Sequence, residues 1–214
     1  MKKKQRTQKQ RAIRLGVWVV ILALAVVLSG IYTPFPQTLI RNAEVTRSCG
    51  ETELVRKETL LHRPHYLTAN QHTLMLTAGE FHPLLGWQQY EVSQLDLTKE
   101  EALSVEVLRT APRRTKDPKD DVLTVHYFGT APREATSVLI RFPWMEEAEP
   151  FEIPTFRGED GQTYFWDWKI VQFYGPEDYN KDYYSEPLVV EALDGDGQVI
   201  ATCNHPRYYD GSMP

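Results

Sequence analysis

Apolar and polar residues alternate along most of the chain after residue 50, a pattern typical of strands with one buried face. Nine such runs are rich in Val, Leu, Thr and aromatic residues, and turn residues separate them. The runs are ELVRKETLL, HTLMLT, WQQYEVSQLDL, LSVEVLR, VLTVHYF, TSVLIRF, TYFWDWKIVQFY, PLVVEAL and QVIATC. The last two flank an Asp-Gly-Asp-Gly turn, which predicts a β-hairpin. The pattern predicts a mainly β fold, an antiparallel β-sandwich of immunoglobulin-like type.

The predicted β-rich domain covers residues 44–210. Within it, the polar, proline-containing segment 111–121 has two interpretations. It is either a linker that splits the domain into two small β units or a long hairpin loop within one unit. Residues 33–43 contain two prolines, which predicts a stiff connector that holds the domain away from the segment before it.

That preceding segment, residues 15–32, contains no charged side chain. As a helix it would be about 27 Å long, close to the roughly 30 Å hydrocarbon core of a bilayer. Trp18 and Tyr32 lie near its ends, where amphipathic rings prefer the membrane interface. Residues 1–14 hold seven Lys and Arg and no acid, which predicts a cytoplasmic tail.

We therefore predict a single-pass signal-anchor helix in the cell membrane, with an extracytoplasmic C-terminal domain. The alternative is a cleaved signal peptide, in which case the domain would be secreted. The best candidate cleavage site, Val27-Leu28-Ser29, is a poor match to the small residues that cleavage requires. A retained helix is the favoured interpretation.

The charge of the chain is divided unevenly. The formal net charge is −5, but removing the seven basic residues of the tail leaves 17 basic against 29 acidic residues, or −12. Such an acidic domain would repel phosphate groups, so nucleic acid is not an expected partner. The hydrophobic content of 42% is enough for a substantial core.

Two cysteines, Cys49 and Cys203, lie near the two ends of the predicted domain. In an oxidising compartment such a pair most often forms a disulfide, which is the prediction here. The alternative is two buried thiols. No CxxC motif is present, so neither a thioredoxin-type site nor a cysteine zinc knuckle is indicated.

The aromatic stretch YFWDWK places Tyr164, Trp166 and Trp168 on one face of a strand. We predict that these rings fill the core of a central strand; the alternative is an exposed carbohydrate platform. The polar loop that follows mixes tyrosine rings with hydrogen-bonding groups, as sugar recognition requires. The candidate ligand-binding residues in this loop are Asp178, Tyr179, Asn180, Tyr183 and Tyr184.

The sequence predicts no metal site, no cofactor and no catalytic residue. His62 and His65 are separated by Pro64 and would point to opposite faces of a strand. The DGDG turn begins like a calcium loop, but Val199 and His205 replace the required Gly and Glu. The acidic cluster would serve glycoside hydrolysis only if two carboxylates faced each other across a cleft. That cluster consists of Glu146, Glu147, Glu149 and Glu152.

Two functions follow from these features. The first is a membrane-anchored, non-catalytic binding or interaction module at the cell envelope. The second is a membrane-anchored hydrolase of envelope polysaccharide or peptidoglycan. The predicted partners are the lipid bilayer, through residues 15–32, and either a cell-envelope glycan or another membrane protein.

Overall fold

A computed structural model describes most of the chain, namely residues 8–28, 32–99, 101–109, 122–143, 149–172, 188–204 and 206–209. These ranges contain two helices and thirteen strands. In chain order they are α1 (Gln8–Leu28), β1 (Tyr32–Thr33), α2 (Thr38–Arg47), β2 (Glu53–Leu60), β3 (Arg63–Ala69), β4 (Thr73–His82), β5 (Gly86–Asp96), β6 (Ser104–Arg109), β7 (Val122–Ala131), β8 (Ser137–Arg141), β9 (Phe151–Arg157), β10 (Thr163–Gln172), β11 (Val189–Leu193), β12 (Val199–Cys203) and β13 (Arg207–Tyr209).

The first five strands form an antiparallel sheet in the order β1-β5-β4-β3-β2. Helix α2 covers the outer face of this sheet, where Leu39 and Ala43 are fully buried and Ala43 clusters with Met75 and Val92. The predicted stiff connector over residues 33–43 is therefore wrong. Its first residue belongs to β1 and its second half begins α2, so this segment packs on the sheet.

The other eight strands form a second sheet in the order β12-β11-β8-β9-β10-β7-β6-β13. Its pairs are antiparallel except for β13 and β6, which are parallel. Strand β9 changes partner along its length: residues 151–154 pair with β8, whereas residues 155–157 pair with β10. The strands β6 and β7, which flank the 111–121 segment, pair directly with each other.

One hydrophobic core lies between the two sheets. It consists of Leu67, Ala69, Leu74, Leu76 and Leu95 from the first sheet and Leu108, Phe128, Tyr164 and Trp166 from the second. This sheet-on-sheet core confirms the coarser prediction of a mainly β protein with two antiparallel sheets, consistent with a β-sandwich. The strand order differs from an immunoglobulin domain, because β2 to β5 pair consecutively as a meander.

A second core lies on the opposite face of β6, β7 and β10. Strands β8, β9 and β11 also contribute to it. Its members include Val105, Val107, Val125, Tyr127, Val138, Ile140, Ile153, Phe165 and Val190. Because successive strand residues point to opposite faces, Tyr127 enters this core while Phe128 enters the one between the sheets.

Helix α1 precedes these layers and exposes its apolar side chains, including Trp18 and Leu22. Within the ranges described, no helix is both long enough and apolar enough to cross a membrane. The predicted helix over residues 15–32 is observed only as far as Leu28. Tyr32, its predicted last residue, instead begins strand β1, and residues 29–31 lie outside the described ranges.

The predicted disulfide between Cys49 and Cys203 is wrong, since neither cysteine is in a disulfide. Cys49 follows α2 and packs beside the small core under that helix. Cys203 lies on β12 and packs against the core on the far face of β6, β7 and β10. The β layers therefore separate the two thiols.

Candidate functional site

The predicted ligand-binding residues lie outside the described ranges. These residues, Asp178, Tyr179, Asn180, Tyr183 and Tyr184, all fall within residues 173–187. Leu188, the first described residue after them, is buried in the core on the far face of β10. Glycan recognition by these residues stays a prediction.

The aromatic residues of β10 belong mainly to the core. Tyr164 and Phe165 are fully buried and Trp166 is 3% exposed, because β10 is an interior strand between β9 and β7. Trp168 is half-buried, and Ile170 at the next position on that face is exposed. The prediction of a central strand is confirmed for Trp166, and burial of its ring is incompatible with a sugar platform at that position.

Two residues of the acidic cluster and three histidines lie at the surface. Glu149 and Glu152 are exposed, while Glu146 and Glu147 lie outside the described residues. His62, His72 and His82 are exposed, as the sequence indicates. Among the described residues, no group of three or more His, Cys, Asp or Glu side chains could hold a metal ion.

A pair of histidines, not predicted from the sequence, lies between the two sheets. His65 on β3 is 4% exposed, and His126 on β7 is completely buried. Their ring centroids are 5.0 Å apart. The Trp166 indole lies beside both rings and donates a hydrogen bond from Nε1 to His126 Nδ1 at 3.4 Å. Two imidazoles and an indole therefore form a polar cluster between the two sheets.

Strand registers explain how this cluster forms. His65 pairs with Ala78 on β4, and Ala78 pairs with Glu91 on β5. The three side chains therefore share one face, and the small Ala78 leaves room between the imidazole and the carboxylate. His126 faces them because β7 points Thr124 and Phe128, two residues to either side, toward the same interface.

Burial determines the protonation of both histidines. It lowers the pKa of His65 to about 4, although the carbonyl oxygen of Arg63, 3.0 Å from His65 Nδ1, favours the proton. Burial, and secondarily the neighbouring His65, lowers the pKa of His126 well below its usual value. Both rings are therefore neutral at pH 7. His126 Nε2 has no hydrogen-bond partner among the described protein atoms.

A buried carboxyl group lies farther along the same interface. Glu106 on β6 accepts a hydrogen bond from the Ser93 hydroxyl at 2.7 Å. Burial raises the pKa of Glu106 to about 7, even though the Ser93 hydrogen bond and the charges of Arg207 and Arg47 favour its ionised form. This carboxyl group can therefore gain or lose a proton near neutral pH.

The cavity at His65 is too small to bind a substrate. Its volume is about 20 Å³, and Leu60, Arg63, Tyr90 and Glu91 also line it. That space suits about one water molecule, whereas small-molecule sites enclose roughly 300 to 1,000 Å³. The Arg63 guanidinium lies 3.8 Å from the Tyr90 ring centroid and is 2.9 Å from Glu80. The cluster can bind protons and water, but it offers no room for a reacting molecule.

A larger recess lies at the opposite end of the sheets, with a volume of about 330 Å³. Glu53, Ala69 and Asp160 are among the residues that line it. The two carboxylate oxygens of Asp160 are already engaged, one by the Gln162 backbone amide at 3.0 Å and one by the Tyr164 hydroxyl at 2.5 Å. Asp160 therefore stabilises the β9–β10 turn, and its role is structural.

No protein-family model, curated protein or solved structure matches this chain. Function is therefore inferred from its own residues and their placement. One signal could have revealed the histidine pair: His126 alternates with apolar neighbours within VLTVHYF, at an inward position between Thr124 and Phe128. No such alternation occurs over RPHYLTA, where Pro64 interrupts the strand that carries His65.

Proposed function

We propose that the protein is a single-pass, membrane-anchored β domain that acts as a non-catalytic binding or interaction module outside the cell. The observation that carries this proposal is the connection between residues 15–32 and the fold. Tyr32 is the last residue of the predicted membrane segment and also pairs with Gln88 in the first sheet. An anchor joined in this way would hold the whole domain at the membrane.

Helix α1 supports the anchoring role. Its apolar side chains contact little of the β domain, and Trp18 and Leu22 are 68% and 67% exposed. Exposure of large apolar side chains on this scale is unfavourable in water and favourable in lipid. The predicted membrane segment continues beyond Leu28, through residues that the structure does not describe, and its 18 residues carry no charge. The seven basic residues before it favour a cytoplasmic N-terminus.

The non-catalytic role is supported by the way the titratable groups are enclosed. His65, His126 and Glu106 have perturbed pKa values, a property common in active sites. However, they lie between two packed sheets, where the cavity admits about one water molecule. Glu149 and Glu152 are exposed. No arrangement within the described ranges favours the alternative, an envelope hydrolase.

The proposed partners are the bilayer and an envelope component. Residues 15–32 would contact the lipid. A glycan would bind through the tyrosine-containing loop, or another membrane protein would bind the domain. An acidic domain remains unsuited to nucleic acid.

The experiment is a topology measurement on intact cells that express the full chain with an epitope at its N-terminus. We expect external protease to digest the domain and to leave a protected fragment of about 30 residues that carries the epitope. A cytoplasmic marker protein controls for lysis, and detergent should make the fragment digestible. Protection of the domain from external protease would overturn the topology, and loss of the epitope from the mature protein would indicate a cleaved signal.

A further inference from the structure

The β4–β5 hairpin ends in an exposed apolar surface. Leu84 in its turn is 89% exposed and Phe81 is 54% exposed. The Phe81 ring packs on Trp87 across the hairpin, with centroids 5.1 Å apart. Phe35, on the neighbouring segment after β1, is also exposed. We call Phe35, Phe81, Leu84 and Trp87 the apolar tip. The hairpin carries no Asp, Glu, Lys or Arg from Phe81 through Tyr90.

Strand β1 fixes the apolar tip to the end of the proposed anchor. Thr33 pairs with Trp87, and Tyr32 packs edge-on against His82 at 6.1 Å. Gly86 permits this contact, because its φ is +97° and a Cβ there would lie 2.6 Å from the Thr33 carbonyl oxygen. The segment leaving the membrane and the tip therefore form one paired unit.

The tip also extends beyond the neighbouring hairpin. Arg63 is in the last pair before the β2–β3 turn, and it lies beside Glu80, whose carboxylate it contacts at 2.9 Å. The last pair before the β4–β5 turn is His82 with Gly86, about two residues or roughly 7 Å farther along β4. The uncharged, apolar end of the β4–β5 hairpin thus extends past the β2–β3 hairpin.

We propose that the apolar tip lies in the interfacial region of the membrane that residues 15–32 cross, an inference that rests on the proposed anchoring. Leu28, where α1 ends, is separated from Tyr32 by at most about 14 Å of chain. Through β1, the tip is held at the point where the chain leaves the bilayer. Tyr32 and Trp87 are rings of the type that prefers the interface. The domain would thus rest on the lipid surface through a second contact.

The test uses the full chain in phosphatidylcholine vesicles, with Cys49 and Cys203 replaced by Ala. Single cysteines at Leu84, Leu22 or Glu159 carry an environment-sensitive fluorophore. Glu159 is the matched control, because it lies on the exposed β9–β10 turn at the opposite end of the sheets. The vesicles contain a lipid with a nitroxide quencher at the top or at the middle of its acyl chain.

We expect the fluorophore at Leu84→Cys to lose most of its emission to the shallow quencher and the fluorophore at Leu22→Cys to lose most of its emission to the deep quencher. The fluorophore at Glu159→Cys should lose little emission to either.

Quenching at position 22 without quenching at position 84 would overturn the tip contact and leave the anchor intact. An absence of quenching at both positions would overturn both proposals. Quenching at position 84 alone would support the lipid contact and overturn the spanning helix. Cross-linking between two Leu84→Cys chains without quenching would indicate a second copy as occupant, which also overturns the inference.

Discussion

The imidazole of His65 makes the stability of the fold depend on pH. Its pKa is about 4 in the folded protein and near 6.5 when exposed. Between these values the unfolded chain binds a proton that the folded protein does not, so acid favours unfolding. The difference between the two pKa values corresponds to a loss of about 3 kcal/mol in the free energy of unfolding as the pH falls from 6.5 to 4.

We therefore predict that His65→Gln weakens the acid sensitivity of the protein. Urea unfolding at pH 7 and at pH 4.5 should show a smaller loss of unfolding free energy in the variant than in the parent. His62→Gln is the matched control, since His62 is exposed, and it should behave like the parent. Equal acid sensitivity in the His65 variant and the parent would show that this imidazole is not held neutral.

Glu106 should have the opposite dependence. Its pKa is about 7 in the folded protein and near 4.5 when exposed, so between these values the folded protein holds the extra proton. Its stabilising contribution is present below pH 4.5 and is lost as pH rises through 7. We predict that Glu106→Gln, which still accepts from the Ser93 hydroxyl, gains up to about 3 kcal/mol at pH 8 and almost nothing at pH 4.5.

The control for this prediction is Glu152→Gln, at an exposed carboxylate, which should change stability little at either pH. Chemical unfolding at both pH values measures the effect. A gain of equal size at pH 4.5 and pH 8 would mean that the carboxyl group stays in one protonation state over this interval.

Trp166 and Trp168 differ in burial, which makes them a matched pair. Trp166→Ala should destabilise the fold by about 3 to 5 kcal/mol, because a fully packed ring is removed from the core between the sheets. Trp168 is half-buried, so Trp168→Ala should cost less. Thermal unfolding measures both, and Tyr183→Ala should melt like the parent while weakening any glycan pull-down. Parent-like melting of Trp166→Ala would contradict the core assignment.

At the scale of elements, hydrophobic alternation located the strands whose pattern is regular. All nine predicted runs are strands. The sequence did not reveal β3 or β9, because prolines interrupt them: Pro64 lies in β3 and Pro154 in β9. In β9, Pro154 is the residue at which pairing passes from β8 to β10. A residue that normally disfavours a strand therefore marks the change of partner.

Helix α2 was not predicted because its sequence carries only weak signals for a helix. Gln37 at its N-cap makes no side-chain capping bond, and the preceding prolines favour a turn. Its apolar stripe is short, with Leu39 and Ala43 one turn apart. The helix is stabilised by packing on the first sheet, information that local sequence does not contain.

The β1–β5 contact gives a prediction about Gly86. Gly86→Ala should destabilise the protein by more than Gly197→Ala, although both glycines have positive φ values. Alanine at position 197 meets only the left-handed backbone penalty of about 1 to 2 kcal/mol, since nothing lies within 4 Å of its Cβ. At position 86 the Cβ also collides with the Thr33 carbonyl. Equal losses of unfolding free energy would show that β1 does not pack here.

At the scale of the molecule, the sequence indicated the fold class but not which strands meet across the two sheets. The mainly β architecture followed from alternation, whereas the histidine pair depends on β3 and β7 meeting across two sheets, about 60 residues apart in sequence. The disulfide prediction failed for the same reason: proximity to the ends of the domain does not determine which layer a cysteine joins. The ligand-binding residues of the 173–187 loop remain predictions.

The separation of anchor and fold can be tested by truncation. A chain that starts at Tyr32 keeps β1 and should melt like the full protein, but it should no longer fractionate with membranes. A chain that starts at Pro34 loses β1, including the buried Thr33, and should melt at a lower temperature. Membrane fractionation and thermal unfolding measure the two effects. A Tyr32 truncation that stays on membranes after a carbonate wash, which removes proteins held only by a surface contact such as that of the apolar tip, would contradict the anchor.

The two β cores share strands β6, β7 and β10, because these three strands contribute side chains to both cores. Neither core can melt while the other keeps its packing, so heat should unfold the domain in a single cooperative transition, with equal calorimetric and van't Hoff enthalpies. A chain divided between β6 and β7 would give two fragments that each lack some of these three shared strands. Such fragments should remain unstructured alone and regain their fold only when mixed.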